Sequence, residues 1–366
     1  MKIVFLGSIN SFNYHTIGGV ENYIRRLSNS LIENDINIDY VYYDSDRSHI
    51  ESINKSWNIY HYNTITRNDF NILLSGLFTK YDVIVPIYIS NKFRLSFLFK
   101  SIIDNNKKVN RILFNWPTNI LKRFLYFFEA KIVASKVICI SNRQLNYLDS
   151  NLNISRKKLF IDRPIVPNSF YSNLEYKINK FNTQKIEVVF IGRLDKGKGI
   201  DDVISIMNKL IQDSRFSCKI YGIYFPDDEY GKKIHNYLEN QKVIKYTAIS
   251  RESYSVQIED KTASIFKSCD IFLQPYRNIS STVDAPLLIY EAMAALTVII
   301  SRNVGELSNI IGSDKFLFDN KDNDSFVKSS IESIKKITVN IYSEELKRLD
   351  KRNCELNINK DDIWIV

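Results

Sequence analysis

The sequence predicts an α/β protein made of two doubly wound, Rossmann-like domains whose parallel sheets face a central cleft. Three observations predict it. The chain has 366 residues, a length that suits two cores of common size better than one. Apolar runs rich in Ile and Val alternate with longer amphipathic stretches, the pattern of strands covered on both faces by crossover helices. That pattern also starts twice, at "KIVFLG" and again at "KIEVVFIG", each time followed by a glycine-bearing turn and a helical stretch.

In the first half the strands are "KIVFL", "INIDYVYY", "YDVIVPIYI", "RILFN" and "KVICIS", with the first helix over "VENYIRRLSNSLIEN". After "NRQLNYLDS" the chain becomes polar, rich in Asn and twice interrupted by Pro. This sets the first domain at 1–160 and a linker at 161–183. The second domain, 184–340, runs through "KIEVVFIG", "SCKIYGIY", "KVIKYT", "CDIFLQP", "TVIIS" and "KFLF". A helical tail over 341–366 is expected to pack back on the first domain.

A hydrophobic content of 45% with 25% charged residues is that of a globular protein. Cys139, Cys218, Cys269 and Cys354 lie too far apart for a zinc site and suggest no disulfide framework, so they are expected to be buried, reduced thiols of a cytoplasmic protein. The N-terminal apolar run is too short for a signal-peptide core, and no window reaches the roughly 18 apolar residues of a membrane span. The net charge of +9 is concentrated: from Lys92 to Lys131 nine basic residues face only Asp104 and Glu129, a local excess of +7. Nine aromatic residues are interleaved with them. Such a segment suits peripheral attachment to an anionic membrane surface at the inner face, with the rings as a core layer the competing reading. No nucleic-acid-binding motif accompanies it, so no nucleic acid partner is expected.

Two turns carry anion-binding chemistry. Gly18 and Gly19 precede the first helix, where paired glycines let a diphosphate or sugar approach its N-terminus. Gly192 to Lys198 reads G-x-x-x-x-G-K, but Gly199 stands where a nucleoside-triphosphate loop needs Ser or Thr for Mg²⁺. Arg193 and Lys198 remain, two cations able to stabilise a leaving diphosphate without a metal. "DSD" at Asp44 to Asp46 reads as an ordinary polar loop. His49, His61 and His235 read as surface residues with no ligand spacing, while His15 falls in the first glycine loop.

Taken with "GGVENYIRRLSNSL", "KVICISNRQLNYL", "VVFIGRLDKGKGID", "CDIFLQPY" and "DAPLLIYEAMA", the chain resembles the GT-B-fold glycosyltransferases, specifically the retaining family 4 (glycosyl transferases group 1). The resemblance implies a metal-independent hexosyltransferase that takes a UDP-sugar or GDP-sugar donor and no cofactor. It implies that Arg193 and Lys198 contact the donor diphosphate and that the carboxylate of Glu291 accepts from the ribose hydroxyls. Gly18, Gly19 and Gly192 would line the donor, as would the loop with Thr282, Asp284, Ala285, Pro286 and Leu287. His15, Asn115 and Trp116 would belong to the closing loop or acceptor side. The acceptor implied is a glycan or lipid-linked oligosaccharide of cell-surface polysaccharide assembly.

The sequence departs from the family at three places. A Glu usual eight positions before Glu291 is Val283, a Gly usual after "EAMA" is Leu296, and a first-domain His is replaced around Asn115 and Trp116. Two alternatives therefore compete: a degenerate nucleotide-sugar-binding scaffold, and a nucleotide-sugar epimerase of the same fold.

Overall fold

A computed structural model describes residues 1–9, 12–54, 57–64, 66–104, 108–114, 120–225, 227–249, 256–279, 282–319, 322–356 and 361–364. The chain divides into two compact units. The first contains Met1–Tyr14, Val20–Ile165 and the C-terminal Lys360–Val366; the second contains His15–Gly19 and Val166–Asn359.

The first unit carries strands β1 (Lys2–Gly7), β2 (Asn37–Tyr42), β3 (Asp44–Asn54), β4 (Trp57–Asn63), β5 (Val83–Ile87), β6 (Lys108–Leu113), β7 (Ala134–Cys139) and β8 (Leu159–Ile161). Their order across the sheet is β3-β4-β2-β1-β5-β6-β7-β8. All pairs are parallel except β3 with β4. Central β5 is buried at every position, as a strand covered on both faces must be. The covering helices are α1 (Gly19–Glu33), α2 (Arg67–Lys80), α3 (Asn91–Ile103), α4 (Ile120–Phe128) and α5 (Asn142–Asn146). α2 starts on a reciprocal cap: the Thr66 hydroxyl accepts from the Asp69 N–H at 3.2 Å, and the Asp69 carboxylate accepts from the Thr66 N–H at 2.8 Å.

In the second unit β9 (Ile186–Arg193), β10 (Phe216–Ile223), β11 (Lys245–Ile249), β12 (Ile271–Leu273), β13 (Val298–Arg302) and β14 (Leu317–Phe318) form one sheet. Numbered from β9 as first, the spatial order is 3-2-1-4-5-6, the doubly wound arrangement whose direction reverses between β9 and β12. Its helices are α6 (Leu174–Thr183), α7 (Ile200–Leu210), α8 (Glu229–Asn240), α9 (Val256–Ser268), α10 (Leu287–Ala294), α11 (Leu307–Ile311), α12 (Asn323–Lys335) and α13 (Val339–Leu356). A last helix, α14 (Asp361–Trp364), groups with the first unit, where the Trp364 indole N–H donates to Asp162 at 3.2 Å.

Several expectations are corrected. The stretch expected as linker contains α6, and the change of unit falls after Ile165. Its polar sequence misleads because two lysines point inward. Lys177 donates to the Cys269 carbonyl, and Lys180 pairs with buried Asp270 at 2.5 Å. Phe181 stacks on Tyr342 of α13, with ring centroids 3.9 Å apart. Most of the expected tail is therefore part of the second unit: Tyr342, Leu346 and Leu349 are buried, α13 packs on α6 and α10, and only α14 joins the first unit.

"DSD" is not a loop either. Asp44 opens β3 and accepts the Ile9 N–H at 2.8 Å. His61 is buried, stacked on His49 at 4.0 Å, and its Nδ1 lies 3.0 Å from the Ser45 hydroxyl. Cys139, Cys218 and Cys269 are buried, but Cys354 is exposed. The basic aromatic segment splits in two. Phe93, Phe97 and Phe114 are core residues, and Arg94 and Arg111 lie inside over the Tyr126 ring, with Glu129 at 3.9 and 3.4 Å respectively. Phe99 and Phe124 face solvent.

Candidate active site

At the reversal point of the second sheet, the loops following β9 and β12 meet, and such a crevice is where doubly wound sheets bind ligands. β9 delivers Arg193 to its carboxyl end, exposed, with its Nε 3.1 Å from Asp195. Asp195 also caps the short 3₁₀ turn that follows, its Oδ1 accepting the Lys198 N–H at 2.9 Å. One carboxylate thus fixes both the guanidinium and the turn.

Gly199 then has φ +72°, a left-handed conformation that side chains resist, and a Cβ built there would lie 2.3 Å from the Pro275 carbonyl oxygen. The residue that looked like a lost metal ligand is the only type the backbone contact admits. The close approach ties the β9 loop to the β12 loop, and a hydrogen bond from the Arg277 N–H to the Gly197 carbonyl at 3.0 Å reinforces it. Asp202 in the first turn of α7 completes the brace, facing Arg302 at 2.9 Å and Arg277 at 3.1 Å. Arg302 also donates to the Pro275 carbonyl at 3.1 Å.

The Lys198 amine lies 4.6 Å from the centroid of the Tyr276 ring. Burial pushes it down to about 7; the charge of Arg193 lowers it further, and Asp195 opposes both. An arriving diphosphate would reverse the balance by favouring the ammonium form.

Tyr276 is the residue the sequence reading missed. It is fully buried, its hydroxyl 2.9 Å from the Gln274 amide nitrogen and bonded to Thr282. Its hydroxyl is pushed up to about 12, first by burial, while Arg193 and Glu291 act on it with opposite signs. Lys198 thus lies over this ring, Thr282 bonds its hydroxyl, and the charges of Arg193 and Glu291 both act on it. "CDIFLQPY" contained the signal, a tyrosine three residues past a strand end, but an aromatic there reads as core.

Glu291 is buried within α10, and Asp284, Ala285, Pro286 and Leu287 are buried on the approach to it. Pro286 caps α10 without a side-chain hydrogen bond. Asp284 packs against Gly305, whose φ is +61° and whose added Cβ would lie 3.0 Å from the Asp284 carboxylate. Val283 is half-buried beside it. Leu296, where the family has Gly, adopts φ +53° just after α10, which accounts for the family's preference at this position. Gly192 is internal to β9, with Phe190 3.2 Å from where its Cβ would be. Gly18 lies just before α1, and Gly19 opens it with nothing within 4 Å of an added Cβ. His15 is exposed. Asn115 and Trp116, like Ser280 and Ser281 of the loop before α10, lie outside the described residues.

The two units and their parallel sheets define a two-domain protein of the GT-B architecture. Residues 173–352 match the family described as "Glycosyl transferases group 1", so the second unit is a domain of that group. An uncharacterized glycosyltransferase of Methanocaldococcus jannaschii is 25% identical over 249 residues, covering 66% of this chain and 63% of that relative. The chain thus spans under two thirds of the length of that relative. Among solved structures, an α,α-trehalose-phosphate synthase (UDP-forming) from Burkholderia xenovorans, in complex with glucose-6-phosphate, has a TM-score of 0.65 at 11% identity, covering 98% of this chain and 97% of that one. HepE of Anabaena in complex with UDP-glucose has a TM-score of 0.62 at 15% identity, covering 97% and 98%. At those identities the likeness is one of fold. No helix among the described residues is long and apolar enough to cross a membrane.

Proposed function

We propose that the protein is a retaining glycosyltransferase that moves a sugar from a UDP-sugar or GDP-sugar to a hydroxyl of a glycan or lipid-linked oligosaccharide in cell-surface polysaccharide assembly. The observation that carries this reading is the convergence of Arg193, Lys198 and Glu291 on Tyr276 at the sheet's reversal point. A nucleoside diphosphate has two chemically distinct ends, and the site offers cations to one and a buried carboxylate to the other.

Arg193 and Lys198 would hold the diphosphate. As the bond from the anomeric carbon to the β-phosphate oxygen breaks, its electron pair passes to the diphosphate, and both cations stabilise the growing charge. The acceptor oxygen bonds to the anomeric carbon on the face just vacated, and its proton passes to a diphosphate oxygen. The chain's own contribution is positioning and charge, with no step routed through a metal. Support comes from the match to the group 1 family and from a fold neighbour whose structure holds UDP-glucose.

The test is release of nucleoside diphosphate from a panel of nucleotide sugars, after thermal shift has identified the donor. Turnover with Arg193→Ala and Lys198→Ala should fall at least a hundredfold, the usual scale for losing a transition-state charge partner. Binding of donor without turnover by the unaltered protein favours a scaffold. Interconversion of donor epimers without acceptor favours an epimerase.

A further inference from the structure

Helix α3 is apolar on both sides. Phe93, Phe97 and Leu98 face the core, while Leu95, Phe99, Ile102 and Ile103, spaced as i, i+4, i+7 and i+8, face solvent. Phe99 is 65% and Ile103 74% exposed, and Ile72 on neighbouring α2 is 65% exposed. Of thirteen large hydrophobic side chains exposed among the described residues, seven fall between Ile72 and Ile132. Scattered exposed apolar residues need no explanation, but a contiguous group marks an interaction surface.

Between α2 and α3 runs an open groove lined by Ile72, Leu95, Phe99 and Ile103, with Arg67 and Lys100 among its other walls. Among the described residues no carboxylate lines it. Asp69 is engaged in the α2 cap, and Asp104 pairs with Lys100 at 3.2 Å. Lys92 sits one turn before Leu95, over the Phe93 ring at 4.9 Å. With Arg94 and Arg111 internal, the remaining cations of the segment still outnumber its one remaining carboxylate, Asp104.

We infer that this α2–α3 face docks on an anionic lipid bilayer, with Phe99, Ile103, Leu95 and Ile72 entering the interface and Arg67, Lys92 and Lys100 meeting headgroups. Protein interfaces exclude lysine from their cores, whereas a bilayer surface accepts an apolar wedge rimmed by long cationic side chains. The inference extends the proposed lipid-linked acceptor by naming the surface that would bring the protein to it.

Flotation of the full chain with vesicles of phosphatidylcholine, alone or mixed with phosphatidylglycerol, tests it. The expected result is strong recovery with the anionic vesicles only. Leu95→Ser/Phe99→Ser/Ile103→Ser should cut recovery at least tenfold, and Arg67→Gln and Lys92→Gln about fivefold each in partitioning. Melting temperature and donor hydrolysis of the triple variant should match the unaltered protein, since these side chains lie outside both core and site. Equal recovery with both vesicle types, or recovery that the triple variant leaves intact, overturns the inference. Absence of flotation together with a dimer in light scattering that the triple variant dissolves assigns the face to a second copy and also overturns it. In either case, persistent hydrolysis leaves the transferase reading standing.

Discussion

Replacing Gly199 with Ser would restore the sequence of a nucleoside-triphosphate loop, and the structure predicts that it damages the protein instead. The residue has φ +72°, where a side chain costs about 1–2 kcal/mol. A new Cβ would stand 2.3 Å from the Pro275 carbonyl oxygen and 2.9 Å from its Cγ, so backbone must move, at about 1–3 kcal/mol for an overpacked contact. Together these cost about 2–5 kcal/mol, which for a unit of this size lowers the melting temperature by about 10 °C. Because Pro275 adjoins Tyr276, the displacement would also disturb the bed of Lys198 and weaken nucleoside diphosphate binding. Differential scanning calorimetry with and without nucleoside diphosphate reads both effects. A loss below about 1 kcal/mol, or a gain of Mg²⁺-dependent stabilisation by a nucleoside triphosphate, would refute the steric account.

Three further outcomes follow from other contacts. The Lys198 amine titrates near 7 in the free protein, protonated below and neutral above, so nucleoside diphosphate should bind more tightly about one pH unit below 7 than one above; isothermal titration with Lys198→Met should show a flat profile. Lys180→Met strands buried Asp270 and should cost about 3–5 kcal/mol in urea unfolding, with Lys180→Met/Asp270→Asn recovering part of it. Leu296→Gly should relieve about 1–2 kcal/mol of left-handed strain but forfeit a fully buried leucine worth about 2–5 kcal/mol. The net is destabilising, and a variant more stable than the parent would contradict it.

How much was legible depended on which physical requirement each segment satisfied. β1, β5, β9 and β13 must be apolar along their length because helices cover both faces, so their sequences announce them. β3 is an edge strand paired on one side only, and "DSDRSHIESIN" carries no apolar run to reveal it. α6 hid because its buried face includes two lysines matched to carbonyls and a carboxylate, an arrangement visible only when the partners are brought together from residues 90 or more positions away. At the site, Arg193 and Lys198 were legible as charges next to a glycine turn. Gly199 was legible as an oddity but not as a necessity, since the atom that requires it belongs to the loop after another strand. Tyr88 went unread for a related reason: its φ of +51°, at the carboxyl end of β5, has no sequence signature in a non-glycine residue.

The docking of α14 carries a consequence for how the molecule comes into being. Asp162 receives hydrogen bonds from Tyr23 at 2.6 Å and from Trp364, which lies 202 positions further along the chain. During synthesis the first unit emerges first, yet one of the side chains that meet its buried carboxylate follows the entire second unit. The half translated earliest is thus completed last, and the second unit must fold while its neighbour is unfinished. A released chain ending at Leu356, before α14, should therefore hold a second unit that resists protease beside a first unit that does not fully do so.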